Sequence, residues 1–259
     1  MHFDFKGKCA AVTGTSGIGL DAALLLARSG ARVFLAGIDP DQNDKARRDA
    51  EGLALSMHRA DVSDEASVAG WIEEIAAETP TLDILVNAAA IQTYGTVETT
   101  TPADWDRTIA TNLRSCYLTA HFAHPLMKAA GSASIVHVAS VQGHGNQNGV
   151  LAYATTKGAI HALTRAMAVD CARDGIRVNS ISPGSVRTPL LEFSARALAG
   201  PGQTVEDMID LFGAAHPVGR VGTVSETSAL IAYLCSDVAA FITGADFLID
   251  GGLRAQLGV

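Results

Sequence analysis

Short apolar runs alternate with longer segments of helical periodicity along this chain. The apolar runs predict strands near 8–13, 32–37, 54–59, 82–87, 133–139, 176–181 and 246–250. Helical patterns fall near 18–29, 41–51, 64–78, 103–129, 151–173 and 225–236. Strands that alternate with helices predict βαβ units and a parallel sheet. The runs are apolar throughout, as expected when helices cover both faces of the sheet. Right-handed crossovers then give an α/β fold, a doubly wound parallel sheet of about seven strands. In such a sheet ligands gather at the carboxyl ends of the strands.

No domain boundary, repeat or low-complexity segment interrupts the pattern, so residues 1–259 are expected to form one domain. The irregular stretch is 184–224, with Pro189, Gly200-Pro-Gly202, Gly213, Pro217 and a polar helical fragment near 203–212. A long excursion of this kind in a compact domain is usually functional. Its place after the sixth strand predicts a lid over a substrate, or else a subunit contact.

Composition narrows the partners. The chain has 259 residues, 48% hydrophobic content and a net charge of −8, with no basic cluster. Nucleic acid and acidic membranes are therefore not expected partners. No apolar stretch reaches the ~18 residues of a membrane span. The start, Met1-His-Phe-Asp-Phe-Lys6, lacks the pattern of a signal peptide, which predicts a cytoplasmic chain. Cys9, Cys116, Cys171 and Cys235 are scattered and form no ligand cluster, so reduced thiols and no metal site are expected.

Candidate chemistry begins at Tyr153-Ala-Thr-Thr-Lys157, with Ser140 upstream. On a helix Tyr153 and Lys157 share a face one turn apart. A tyrosine near its reference pKa of roughly 10 is a poor base at neutral pH. An ammonium about 4 Å away, at an effective dielectric near 20, supplies on the order of 4 kcal/mol toward the phenolate. A serine hydroxyl can hold the substrate oxygen. The same spacing also arises by chance from a buried tyrosine and a surface lysine.

A second motif is Gly14-Thr15-Ser16-Gly17-Ile18-Gly19, between an apolar run and the helix-forming Leu20–Arg28. Strand, glycine turn and helix form the context of a dinucleotide fingerprint. The glycines let backbone approach a pyrophosphate, and the helix N-terminus supplies N–H donors. The bland alternative is a tight turn without a ligand.

Together with Asp61-Val62, Asn87-Ala88-Ala89, Asn112, Asn179, Pro183-Gly184, Thr188 and Asp250-Gly251-Gly252, these motifs resemble the short-chain dehydrogenase/reductase family over essentially all 259 residues. The resemblance implies a Rossmann-type sheet and hydride transfer between a nicotinamide and a secondary alcohol or carbonyl. It implies that Tyr153 is the general acid/base, that Lys157 lowers its pKa and bonds the nicotinamide ribose, and that Ser140 orients substrate. Asn112 would hold a relay water, although a buried or capping helix asparagine reads equally well from the sequence. Cofactor contacts are implied for Gly14, Thr15, Ser16, Gly17, Ile18, Gly19, Asp61, Val62, Asn87, Ala88, Pro183, Gly184, Val186 and Thr188. A homo-oligomer, tetramer or dimer, is implied as well. Two departures stand out. The family has three residues between its first two glycines, and here Thr15 and Ser16 are two. Its Asn-Asn-Ala-Gly reads Asn87-Ala88-Ala89-Ala90 here.

A carboxylate after the second strand selects NAD by bonding the ribose 2′-hydroxyl and repelling a 2′-phosphate. The position that often carries this aspartate is Gly37, and Asp39 lies two residues on. Asp39 also reads as a helix N-cap, and both roles can coexist. No Arg or Lys stands at 37–41 or 14–19, so NAD is expected over NADP unless Lys45, Arg47 or Arg48 folds back. The polar stretch Gln142, His144, Asn146, Gln147 suits a polyhydroxylated substrate, or is a solvated glycine-rich loop. Arg187 could pair with a substrate carboxylate or lactone. The Ser140-Val-Gln142 triplet and the chain's ending look like sugar and polyol dehydrogenases within the family. An NADPH-dependent carbonyl or 3-oxoacyl reductase is the alternative, and a non-catalytic nucleotide-binding protein a third.

Overall fold

The structure is a computed structural model and describes residues 3–257. Seven parallel strands form one sheet in the order β3-β2-β1-β4-β5-β6-β7. They are β1 (Cys9–Thr13), β2 (Arg32–Gly37), β3 (Leu55–Arg59), β4 (Ile84–Asn87), β5 (Ala133–Val138), β6 (Ile176–Pro183) and β7 (Asp246–Ile249). The strand order reverses between β1 and β4, which opens a crevice at their carboxyl ends.

Alternation along the strands builds two cores. Ala10 and Val12 of β1, with Val33 and Leu35 of β2, face helices α1 (Gly17–Arg28) and α9 (Val224–Cys235). Ala11, Phe34 and Ala36 face the other side, with α3 (Glu65–Glu78), α5 (Ser115–Ala130) and α6 (Leu151–Cys171). Full burial of a side chain such as Phe34 or Leu35 stabilises the fold by about 2–3 kcal/mol. Helix α2 (Pro40–Asp49) begins at Asp39, whose side chain accepts from the Gln42 N–H at 2.9 Å. A membrane-spanning helix is absent among the described residues.

Two expectations are corrected. The helix expected over 103–129 is α4 (Pro102–Ile109), a π-helical turn at Ala110–Arg114, and then α5. Periodicity does not register one widened turn, and such turns recur at functional sites. The stretch 184–224 holds two helices, α7 (Pro189–Leu198) and α8 (Val205–Ala214), where one fragment is expected. Pro189 stands at the first turn of α7 behind the N-cap Thr188, where its missing N–H costs nothing.

Candidate active site

One large cavity, about 690 Å³, runs along the carboxyl ends of the strands. At one end it is lined by the glycine turn, Asp39 and Asp61; at the other by Ser140, Tyr153 and Lys157. The two motifs are more than a hundred residues apart in the chain, and the topology brings them to one crevice.

The turn keeps its left-handed glycines despite its short loop. Gly14 and Gly17 take positive φ angles of 98° and 54°, and α1 starts at Gly17. A Cβ at Gly14 would stand 3.2 Å from the Ala89 nitrogen, so backbone passes close to backbone there. The N-cap Ser16 makes no side-chain cap hydrogen bond, and the first turn of α1 holds no acidic residue. Its N–H donors are thus left open toward the cavity, as a phosphate requires. Thr13 Oγ1 accepts from the Ala88 and Ala89 N–H groups at 3.1 and 3.2 Å and ties β1 to the loop after β4. Gly19 lies behind the turn: a Cβ there would stand 2.8 Å from the Thr13 carbonyl oxygen. It serves close packing and does not line the cavity.

At the ribose end, Thr15 fills the room a side chain at position 37 would need. Its Cγ2 lies 2.6 Å from where a Gly37 Cβ would stand. Asp39 is therefore the acidic group lining this end of β2. Asp61 also lines it, and its Oδ1 accepts from the Ser63 N–H at 2.9 Å and the Ser63 hydroxyl at 2.6 Å. Lys45 pairs with Asp49 and Arg47 with Asp44, and neither they nor Arg48 line the cavity. The lining cations are Lys157 and Arg107, the latter bonded to Asp104.

The catalytic end is buried. Lys157 is 3% exposed and donates from Nζ to the Val138 carbonyl at 2.7 Å. Burial pushes the Tyr153 hydroxyl up to about 12, against a lowering hydrogen bond from Ser140 and with a small further rise from Tyr94. Burial also holds the Lys157 ammonium down to about 8. Ser140 caps the 3₁₀ turn Val141–Gly143, accepting from the Gln142 N–H at 3.1 Å.

Several expected contacts fall elsewhere. Arg187 is not among the residues lining the cavity and is held bidentately by Glu206 at 2.7 and 2.9 Å, with Glu192 also near. His144 bonds Asp246 at 2.7 Å and is likewise outside the lining. The Asn87 side chain faces inward, accepting from Thr119 at 2.8 Å and meeting His137 at 3.2 Å. Asn112 is buried, with Oδ1 accepting from the Ile91 N–H at 2.8 Å and Nδ2 donating to the Ile91 carbonyl at 2.9 Å. These bonds tie Asn112 to Ile91, which lines the cavity, and are compatible with the relay role the resemblance implies. Ser16, Ile18, Val62, Ala88, Pro183, Gly184, Val186 and Thr188 all line the cavity, as do Gln142 and Gln147. Those two glutamines bond each other at 2.9 and 3.0 Å.

Gln92, Tyr94, Ser194 and His216 also line the wall, and no motif or spacing marks them in the sequence. Gln92 donates to the Tyr94 hydroxyl at 3.0 Å, and Ser194 donates to Gln92 at 3.4 Å. His216 accepts the Ser185 N–H at 3.1 Å and closes the pocket behind Gly184.

With this geometry the similarity to known proteins becomes specific. The family model described as enoyl-(acyl carrier protein) reductase matches residues 12–254. The chain belongs to the short-chain dehydrogenase/reductase family. It is an oxidoreductase of that family, acting on CH–OH groups. It is 36% identical over 253 residues to a cyclopentanol dehydrogenase of Comamonas, covering 94% of this chain and 95% of that protein. It is 34% identical over 258 residues to gluconate 5-dehydrogenase of Gluconobacter oxydans, with 98% of each covered. Among solved family members, the ligand-free aldohexose dehydrogenase of Thermoplasma acidophilum superposes with a TM-score of 0.90 at 31% identity, covering 98% and 97%.

Proposed function

We propose that this protein is an NAD-linked dehydrogenase of a small polyhydroxylated secondary alcohol, of the sugar or polyol class. The observation that carries the reading is the shared cavity. Ser140, Tyr153 and Lys157 line one end of it, and the uncapped N-terminus of α1 opens into the other. The residues fit a dinucleotide: open N–H donors for a pyrophosphate, Asp39 and Asp61 for ribose and base, and no lining cation from β2 or the turn for a 2′-phosphate. When bound, the nicotinamide takes or returns the hydride.

The chain's own residues do the rest. Tyr153 holds its proton at neutral pH and donates it to a carbonyl oxygen, or takes the alcohol proton once it is a phenolate. Ser140, fixed by its turn, orients the substrate oxygen. Lys157 supplies positive charge behind the tyrosine ring, at 5.4 Å from its centroid. Gln92, Gln142, Gln147 and Ser194 offer amide and hydroxyl groups for additional hydroxyls, while Ile91, Leu190 and Leu191 exclude water. The cyclopentanol and gluconate dehydrogenases named above act on ring and open-chain alcohols respectively, in accord with this mixed wall.

The test is a side-by-side titration of NADH and NADPH by nicotinamide fluorescence, then a screen of sugars and polyols with NAD. NADH is expected to bind more tightly, and at least one polyol to be oxidised. Tighter NADPH binding would overturn the cofactor assignment. Failure of both nucleotides to bind would overturn the enzymatic reading.

A further inference from the structure

His144, His161 and Asp246 meet behind the active site. Their ligating atoms lie within 4.8 Å of one another, a grouping of metal-ligand type. His144 follows the 3₁₀ turn, His161 sits on α6 one turn beyond Lys157, and Asp246 opens β7. Their separation in sequence, 102 residues from His144 to Asp246, hides the cluster from any spacing motif.

We infer that these three side chains form a site for a late first-row divalent cation of the zinc type, which clamps the substrate loop 141–149 to α6 and β7. Nothing in the oxidoreductase reading calls for this site.

Both histidines turn Nε2 toward the same carboxylate, and His161 Nε2 also meets Ser182 Oγ at 3.0 Å, a contact that an ion would replace. His144 Nε2 lies 2.7 Å from Asp246 Oδ2, and His161 Nε2 lies 3.5 Å from Oδ1. Zinc bound at about 2.0–2.1 Å in a tetrahedron sets its ligand atoms roughly 3.3 Å apart. The two His–Asp separations, 2.7 and 3.5 Å, bracket that spacing, and the His144 ring, on a partly exposed loop, is the ligand that has to shift to close the set. Two neutral imidazoles and one carboxylate are a donor set suited to zinc, cobalt or nickel.

The outer layer is also in place. Ser180 and Ser182 donate to Asp246 Oδ1 at 2.5 and 3.0 Å, which orients the carboxylate and leaves Oδ2 toward His144. Hydrogen bonds of this kind hold metal ligands in position. Arg254 donates to the His144 carbonyl at 3.1 Å and fixes the backbone that carries the imidazole. Gly143 lies so close to α6 that a Cβ there would stand 2.8 Å from the Lys157 carbonyl oxygen. The His144 side is partly exposed, at 32%, and gives an ion its entry path and a place for water as fourth ligand.

The loop held this way carries Gln142 and Gln147 into the cavity and begins at Ser140. Metal at the cluster would stiffen the substrate wall without touching the reacting atoms.

The experiment uses the full-length protein stripped with chelator and titrated with Zn²⁺ against a chromophoric competitor, with Co²⁺ absorption as a second readout. One ion per chain is expected, with the intense visible bands of tetrahedral Co²⁺ and a rise in melting temperature. His144→Ala, at a part-exposed loop position, should weaken binding more than tenfold and remove the bands. Asp246→Asn should do the same. His124→Ala, which removes a surface histidine bonded to Asp174, should leave both unchanged. If the native protein binds no Zn²⁺, or if His144→Ala binds it with native affinity and stoichiometry, the site does not exist.

Discussion

Lys157 stands over the face of the Tyr153 ring, its Nζ 5.4 Å from the ring centroid, and one of its N–H groups donates to the Val138 carbonyl at 2.7 Å. The spacing of the two residues predicts a lysine that lowers the tyrosine pKa. Burial dominates in the protein alone: it pushes Tyr153 up to about 12, against a Ser140 hydrogen bond, and Lys157 down to about 8. Taking both groups out of water disfavours phenolate and ammonium alike. The tyrosine is therefore loaded with its proton at neutral pH.

A pH asymmetry between the two directions follows. Reduction needs the phenol, which is present throughout the neutral range. Oxidation needs the phenolate, whose fraction grows tenfold per pH unit below the apparent pKa. We expect kcat/KM for alcohol oxidation to climb from pH 7 to 10 while that for carbonyl reduction does not. A flat oxidation profile would contradict the assignment of Tyr153 as the base.

Replacing Tyr153 by Phe removes the proton-transferring atom and keeps the ring packed against Val150 and Ala154. Turnover should fall by roughly 10²–10⁴-fold, the usual worth of acid/base catalysis. NADH binding and melting temperature should change little. Native turnover in this variant, measured with either substrate direction, would sink the mechanism.

Lys157 is costly to the fold. Its depression from 10.5 to about 8 corresponds to about 3 kcal/mol spent on the buried ammonium at neutral pH. A lowered folded pKa means that this penalty fades as pH rises from 8 to 10.5, so the native protein gains stability across that window. Lys157→Met has no charge to bury and loses one hydrogen bond worth about 1 kcal/mol. It should be ~2 kcal/mol more stable at pH 7 and inactive, and should lack the gain between pH 8 and 10.5. Urea denaturation at pH 7 and 10 measures both.

Asp39 caps α2, and one substitution separates that role from the proposed one at the ribose. Asn caps a helix about as well as Asp, so Asp39→Asn should keep native stability. The carboxylate charge beside the ribose is lost, and NADPH binding relative to NADH should improve on the order of tenfold. Asp39→Ala should show the same change in preference and also lose about 1 kcal/mol of stability. Unchanged nucleotide preference in Asp39→Asn would confine the residue to capping.

His137 is fully buried between β4 and β6, with its Nδ1 on Asn87 and no partner for Nε2. Burial, aided by the charge of Lys157, holds it down to about 4. The unfolded chain takes up this proton near pH 6.5, so stability falls from pH 6.5 through 4, by about 3 kcal/mol. His137→Asn should flatten that part of the stability profile. An equal acid loss in the variant would place the proton uptake elsewhere.

Much of this was legible because it is local. Strand and helix alternation follows from burial on two faces, and it predicts all seven strands. The Tyr153/Lys157 pair and the glycine turn are set by short spacings that a helix or a strand–turn–helix unit enforces by itself. The helix α7 that starts at Pro189, inside the stretch read as irregular, and the widened turn at Ala110–Arg114 escaped that logic.

What the sequence alone determined, then, was the α/β fold, the parallel sheet, the strand–glycine turn–helix unit and the placing of Tyr153 and Lys157 one helical turn apart, because each rests on neighbours within a turn or two. Tertiary structure alone decided which side chains were free to act. Arg187 was claimed by Glu206, 19 residues away, and His144 by Asp246, 102 away. Thr15 and Gly37 became complementary only when β1 and β2 lay side by side. The protonation of Tyr153 was decided in the same way: the fold buries it with Lys157, and desolvation is a property of the whole surrounding rather than of residue order.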